Sequence, residues 1–139
     1  MTLDELERTM PNGFHDAWIR RIEIDYRAQR VSMLASLLVG VPDDPPEQRS
    51  RYRDAEVIIE GVQFLVIEPP KPGRLGEVKN ESRRRKEGIW VDTFPPDSPP
   101  EVAKELPGDC FVAAFYVDDW FSCMYLGARD ARFAWVADS

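Results

Sequence analysis

Residues 12–41 read NGFHDAWIRRIEIDYRAQRVSMLASLLVGV, and this stretch decides the fold class of the chain. It opens within a turn signal, Pro11-Asn12-Gly13, and continues with two runs in which apolar side chains alternate with other residues. Because successive side chains of a strand point to opposite faces, each run presents one apolar face. The stretch therefore predicts an antiparallel hairpin.

A four-residue loop, 27–30, joins the two runs of the predicted hairpin and sets apolar residues opposite one another along one face. The predicted pairs are Tyr26 with Val31, Ile24 with Met33, Ile22 with Ala35, and Trp18 with Val39. The other face mixes charged, polar and apolar residues. This hairpin indicates the fold and says nothing of function.

A second hairpin is predicted where Tyr52–Ile59 and Val62–Glu68 flank the dipeptide Glu60-Gly61. A two-residue turn at this dipeptide pairs Ile59 with Val62 and gives one wholly apolar face. The sequence therefore predicts that these two strands are neighbours.

The third predicted hairpin consists of Cys110–Val117 and Trp120–Gly127, joined at Asp118-Asp119, and both of its faces are apolar. Such strands are covered on both sides or carry a binding surface. We assign one face to the core, with Phe111, Ala113, Phe115, Met124 and Leu126. The other face and its turn supply the candidate binding residues Tyr116, Trp120, Phe121 and Tyr125. The alternative is that the segment Pro99–Leu106 or other loops of the domain cover this face.

Shorter signals complete the predicted fold. Thr2–Glu5 and Ser98–Glu101 have the capping-box pattern of helix starts, and Ile89–Phe94 and residues 131–135 predict two further strands. The polar segment Pro69–Gly88 predicts a long surface excursion. The sequence thus predicts a single mainly β domain over residues 1–139. Its architecture is an antiparallel β-sandwich or partly closed barrel of about eight strands, with one or two short helices.

Composition narrows the classes of partner and the compartment. The formal net charge of −7 disfavours binding to nucleic acid or to an anionic membrane. No apolar run is long enough to span a bilayer, and the acidic N-terminus lacks the apolar region of a signal peptide. Two cysteines without an export signal predict reduced thiols in a cytoplasm.

His15-Asp16 is the first candidate for chemistry. Metal-dependent hydrolases that use a His–Asp dipeptide need several histidines, and His15 is the only histidine in the chain. No Gly-x-Ser-x-Gly elbow supplies a nucleophile for a catalytic dyad. We therefore predict that His15 and Asp16 are structural residues that close the turn before the first strand.

The other polar groups have simpler interpretations. The basic run Arg83–Lys86 has glutamates around it and no interleaved aromatic residues, which favours a solvated loop over a phosphate-binding site. Asp43-Asp44 and Asp118-Asp119 fall at predicted turns, where aspartate is common. The sequence predicts neither a metal site nor a cofactor.

The two ends of the chain carry a resemblance. Residues 11–17, PNGFHDA, lead directly into an alternating strand, and residues 128–135 read ARDARFAW. In these segments the chain resembles a family of small bacterial proteins of unassigned function. The resemblance implies a bacterial, cytoplasmic, β-rich protein and implies no catalytic residues.

Three functions remain open from the sequence. The first is a non-enzymatic protein-binding module, such as an immunity or antitoxin-like protein, that engages a protein partner or a second copy of itself. The second is a small-ligand carrier with a pocket between the sheets. The third is an enzyme that uses His15 with Asp16. The first function, a protein-binding module, is favoured because the sequence contains no recognisable set of catalytic residues and the net charge is negative.

Overall fold

The computed structural model describes residues 1–71, 88–94 and 99–137. One short helix, α1 (Leu3–Glu7), precedes the strands, and Pro46–Gln48 and Glu101–Glu105 form 3-10 helices. The strands are β1 (Ala17–Asp25), β2 (Arg30–Leu38), β3 (Tyr52–Glu60), β4 (Phe64–Ile67), β5 (Ile89–Phe94), β6 (Phe111–Val117), β7 (Ser122–Ala128) and β8 (Asp130–Trp135).

The eight strands form one antiparallel sheet in the order β4-β7-β6-β5-β1-β2-β3-β8. The prediction of a mainly β, antiparallel fold of about eight strands is confirmed. The edge strands β4 and β8 do not pair with each other, so the sheet is not closed into a barrel. No described helix combines the length and the apolar character that crossing a membrane requires.

The sheet turns a corner where β3 leads into β4 and β7 leads into β8. The strand β3 pairs with β8, and β4 pairs with β7, so two ladders meet at this corner. Two backbone bonds bridge it: Gln63 N–H donates to the Gly127 carbonyl at 2.7 Å, and Arg129 N–H donates to the Glu60 carbonyl at 3.1 Å. The predicted hairpin between β3 and β4 is therefore wrong, because β3 pairs with β2 and β8 instead.

The first hairpin forms between β1 and β2, but in another register. Ile24 lies opposite Val31 and Ile22 opposite Met33, so the loop is 26–29 rather than 27–30. A bulge between Ile19 and Arg21 then places Trp18 opposite Ser36, and the predicted pair of Trp18 with Val39 is wrong. Because a bulge adds one residue to a strand, the residues before it in that strand point to the opposite face from the one that strict alternation predicts.

The bulge moves Trp18 from the core face to the outer face of the sheet. Ala17 and Ile19 belong to the core cluster in its place. Trp18 is buried on the outer side, where its ring stacks on that of Trp90, a residue of β5, with centroids 4.3 Å apart.

The C-terminal hairpin between β6 and β7 has a four-residue loop, 118–121, because Val117 lies opposite Ser122. This register differs from the predicted one by two residues, which leaves the facing of every side chain unchanged. Ala113, Phe115, Met124 and Leu126 accordingly lie in the core, as predicted, and Phe111 packs against it.

The N-terminal helix closes one side of the core. Thr2 Oγ1 accepts a hydrogen bond from Glu5 N–H at 3.1 Å, as the capping pattern predicts, and Leu3, Leu6 and Met10 are buried. The second capping pattern produces a 3-10 helix without a side-chain cap, and its Ser98 lies outside the described residues. Most of the predicted excursion Pro69–Gly88, including Arg83–Lys86, also lies outside them.

Candidate functional site

His15 lies in the turn before β1, and its ring stands between two carboxylates. Its Nδ1 is 3.0 Å from Oδ1 of Asp92, and its Nε2 is 3.4 Å from Oδ2 of Asp16. Asp92 belongs to β5, which pairs with β1. Sequence reasoning missed Asp92, since it is separated from His15 by 77 residues and has no motif around it.

The backbone of Asp16 is fixed by three hydrogen bonds. Its φ of 55° lies in the left-handed region, which costs a non-glycine residue about 1–2 kcal/mol. Its N–H donates to Asp92 Oδ1 at 3.2 Å. Its carbonyl accepts from the Tyr52 hydroxyl at 3.0 Å and from Trp90 Nε1 at 3.1 Å. These bonds hold the Asp16 backbone at the entry into β1.

Further carboxylates surround this turn. Burial, and then the charges of Asp92, Asp119 and Asp16, raise the pKa of Asp118 above its ordinary value. The ligand atoms of His15, Asp16 and Asp92 lie within 4.8 Å of one another, which is close enough to hold one divalent cation. One imidazole nitrogen with carboxylate oxygens suits ions such as Mn²⁺ or Zn²⁺. The His15 side chain is, however, 68% exposed and already engaged by both carboxylates.

The four predicted binding residues do not form one exposed patch. Trp120 packs against the core, and only Phe121 at the loop tip is strongly exposed. Tyr116 and Tyr125 are half-buried on the outer face of the sheet. The pKa of Tyr125 is raised to about 12, first by partial burial and then by the neighbouring Cys123 and Glu68. Its hydroxyl therefore stays neutral at ordinary pH.

Part of this outer face is covered from within the chain. A Cβ at Gly127 would lie 2.5 Å from a ring carbon of Phe64 and 2.8 Å from a methyl carbon of Leu106. Ala114, beside Tyr125 in the ladder, is 1% exposed. The segment that ends at Leu106 therefore shields the face, which was the alternative to a binding surface.

A more exposed apolar surface lies at the loop end of the first hairpin, where β1 turns into β2. The hairpin tip and β4 enclose an open groove of about 400 Å³, which we call the edge groove. Its apolar lining residues include Ile24, Tyr26, Val31, Val62, Leu65 and Ile67. Tyr26 is 86% exposed, Ile67 44% and Ile24 42%. Sequence reasoning placed Ile24 and Tyr26 on the apolar face of the hairpin. It could not predict the groove, because β4 forms the other wall and its position depends on the tertiary structure.

The backbone of β4 is open along this groove. Glu68 N–H donates to the Cys123 carbonyl on the β7 side. Because bonded and non-bonded positions alternate along an antiparallel strand, Leu65 and Ile67 direct their N–H and C=O groups away from β7. Within the described residues, no strand pairs with β4 on that side.

The opposite edge of the sheet is protected. On β8, Ala131 N–H donates to the Met1 carbonyl at 2.9 Å, and the terminal ammonium pairs with Asp130. Charged residues, Asp130 and Arg132, also occupy this strand. The two edges of one sheet thus differ in both charge and cover.

Comparison with known proteins gives no relative: no family model, curated protein or solved structure matches this chain. The resemblance of the chain's ends to a small bacterial family therefore stays a prediction.

Proposed function

We propose that this protein is a non-enzymatic protein-binding module that takes an extended segment of its partner along the free edge of β4. The observation that carries the proposal is an uncharged edge strand, FLVI, whose exposed Ile67 lies near two more exposed apolar side chains, Ile24 and Tyr26. Natural proteins ordinarily protect sheet edges with charge, proline, bulges or cover, or by keeping the edge strand very short. The strand β4 is short, but its four residues carry neither charge nor proline, which suits this edge to pairing with another chain.

Strand addition would supply both affinity and selectivity. The main-chain groups of Leu65 and Ile67 would pair with the partner's backbone. Alternate side chains of the partner would enter the edge groove, whose floor includes the buried Val31. Apolar side chains at every second position of the partner segment fit this chemistry.

A protein suits this surface better than a nucleic acid does. The groove is mainly apolar, and the formal net charge of the chain is −7. An immunity or antitoxin-like role is one version of the proposal, motivated by the small size and negative charge. We also propose a reducing compartment, such as the cytoplasm, because Cys110 and Cys123 are free thiols.

The test compares two lysine substitutions at similarly exposed apolar residues. Ile67 on β4 is 44% exposed, and Val102 in the 3-10 helix Glu101–Glu105 is 39% exposed. Partners captured by the wild type from a lysate of the native host are quantified against both variants, and the affinity is then measured by calorimetry with the purified partner. We expect Ile67→Lys to weaken binding at least about tenfold and Val102→Lys to leave it unchanged.

Equal binding by the wild type and both variants would contradict the proposal. Sedimentation of the purified protein separates a foreign partner from a second copy of this chain. A wild-type dimer that becomes a folded monomer as Ile67→Lys would identify β4–β4 pairing between copies, which is the isologous form of the same interaction.

A second candidate function, small-ligand binding, is favoured by a separate cavity of about 640 Å³ between α1 and the β5–β6 region. This volume lies within the range of about 300–1,000 Å³ typical of small-molecule sites. None of the residues lining the cavity lines the edge groove.

A further inference from the structure

The cavity beside α1 lies next to the end of the β5–β6 ladder. The last residue of β5, Phe94, lies opposite Ala114, so residues 111–113 of β6 have no partner from β5. The helix α1 stands across this gap and contacts β6. Apolar side chains of α1, β5 and β6 form the cavity wall: Leu3, Phe94, Phe111, Val112, Ala113 and Ala114.

One carboxylate is built into the cavity. Glu7 is half-buried there, and its Oε2 accepts hydrogen bonds from Thr93 Oγ1 at 2.7 Å and from Phe14 N–H at 3.1 Å. A Cβ at Gly13 would lie 2.7 Å from the same oxygen, so Gly13 leaves room for it. These contacts fix the Glu7 carboxylate in place.

The charge of Glu7 has no cationic partner within the part of the chain that the structure describes. Among the described residues that line the cavity, Arg8 is the one cationic side chain, and it pairs with Asp4 at 2.7 Å. The three charged side chains of this described lining, Asp4, Glu7 and Arg8, sum to one negative charge. A carboxylate with only neutral donors, facing an apolar wall, is complementary to a cation on an apolar body.

We propose that this cavity binds a small molecule with an apolar body and one protonated amine, with the Glu7 carboxylate as its counter-charge. The amine would donate to the carboxylate, and the body would pack on Phe94, Phe111 and Val112. This inference rests on small-ligand binding, the second candidate function, and adds the class of ligand.

The test uses two fluorescent probes that share an apolar body. Dansylcadaverine carries a primary amine on a five-carbon chain, and N-pentyl dansylamide, called dansylamide below, is its neutral counterpart with the same chain. We expect the wild type to bind dansylcadaverine more tightly than dansylamide. Glu7→Gln keeps a hydrogen-bond acceptor and should weaken dansylcadaverine binding about tenfold to a hundredfold, with dansylamide binding unchanged.

Two further variants separate the causes. Glu23→Gln removes the same charge from the β1 strand, and unchanged binding there would exclude a general effect of net charge. Val112→Trp fills the cavity and should weaken both probes. Equal weakening by Glu7→Gln and Glu23→Gln would overturn the proposal, as would equal affinity of the wild type for both probes.

Failure of small-ligand binding can be told apart from failure of the preference for an amine. If neither probe binds the wild type, small-ligand binding itself fails; if both bind equally, only the amine preference fails. Should Glu7→Gln not fold, amide shifts of the wild type titrated with dansylcadaverine decide the location. Shifts at residues 2–8 and 111–114 support this cavity, and shifts confined to other residues refute it.

Discussion

At the scale of single residues, the turn before β1 depends on Asp92. One carboxylate oxygen of this residue accepts from both His15 Nδ1 and Asp16 N–H, and so bridges β5 to the turn. Asp16 can keep its left-handed φ because its N–H and carbonyl are both bonded. The sequence predicted the turn from the dipeptide itself, but it contained no local signal for Asp92.

A pH-dependent prediction concerns Asp118. Burial and nearby carboxylates raise its pKa in the folded state, so the folded protein retains this proton to a higher pH than the unfolded chain. Stability is therefore lost as pH rises from the ordinary aspartate value, about 3.9, through the raised pKa. We expect Asp118→Asn to stabilise the protein at pH 7 by a few tenths of a kcal/mol, because solvent screens the site.

The measurement is urea unfolding of wild type and Asp118→Asn between pH 3 and pH 8. The gain should shrink as pH falls and disappear below about pH 4, where Asp118 is protonated in both states. Asp43→Asn, at an exposed turn, is the control and should give no such trend. A gain that is the same at pH 3 and pH 7 would show that the raised pKa is not its cause.

At the scale of elements, both hairpins that formed kept the predicted facing of most side chains while their loops differed. A shift of two residues in the register preserves which face each residue occupies. The bulge in β1 does not, since it exchanges Trp18 for Ile19 on the core face. Stacking of Trp18 on Trp90 compensates on the outer face, and Trp90 belongs to a distant strand.

The corner between β3 and β4 gives a sharp prediction. Gly61 has φ +64°, and a Cβ there would lie 2.9 Å from Cβ of Arg129, the residue that joins β7 to β8. Gly61→Ala should therefore lower the free energy of unfolding by about 1–2 kcal/mol or more. Gly108 has open space around its Cα, so Gly108→Ala should change stability by less than about 1 kcal/mol.

Equilibrium denaturation of the two variants checks this difference, with circular dichroism as the probe. If Gly61→Ala and Gly108→Ala have equal effects, Gly61 is not required by the corner. A larger loss for Gly61→Ala supports the corner at which the β3–β8 and β4–β7 ladders meet.

At the scale of the whole molecule, the asymmetry of the two sheet edges is the feature with most consequence. One edge, β8, is tied to the N-terminus, while β4 borders an apolar groove. An uncharged edge of this kind is also a template for non-native pairing. The surface that we propose for partner binding is thus also a surface that favours aggregation.

This gives a prediction for the protein without its partner. Near the midpoint of thermal unfolding, light scattering of the wild type should rise faster than that of Ile67→Lys, because a lysine at the edge opposes strand pairing. Val102→Lys adds the same charge away from β4 and should scatter like the wild type. If both variants lower the light scattering equally, the change in net charge, and not the edge of β4, is the cause.

The sequence by itself determined the class of fold, the short N-terminal helix and the faces of most strands. These features depend on local periodicity and on hydrogen bonds between near neighbours, such as that of Thr2 with Glu5. It also marked His15 and Asp16 as a turn, because that geometry is largely set within the dipeptide and its surroundings.

Only the tertiary structure decided which strands are neighbours, where β1 bulges, and which edge is open. Alternation specifies a face for each strand but accepts any partner with a matching face, so β3 could pair with β8 as well as with β4. Asp92 reaches His15, and β4 reaches the hairpin tip, only when segments far apart in sequence are folded together. The candidate sites depend on those long-range contacts, whose free energy is shared across the whole sheet and is not encoded at any one position.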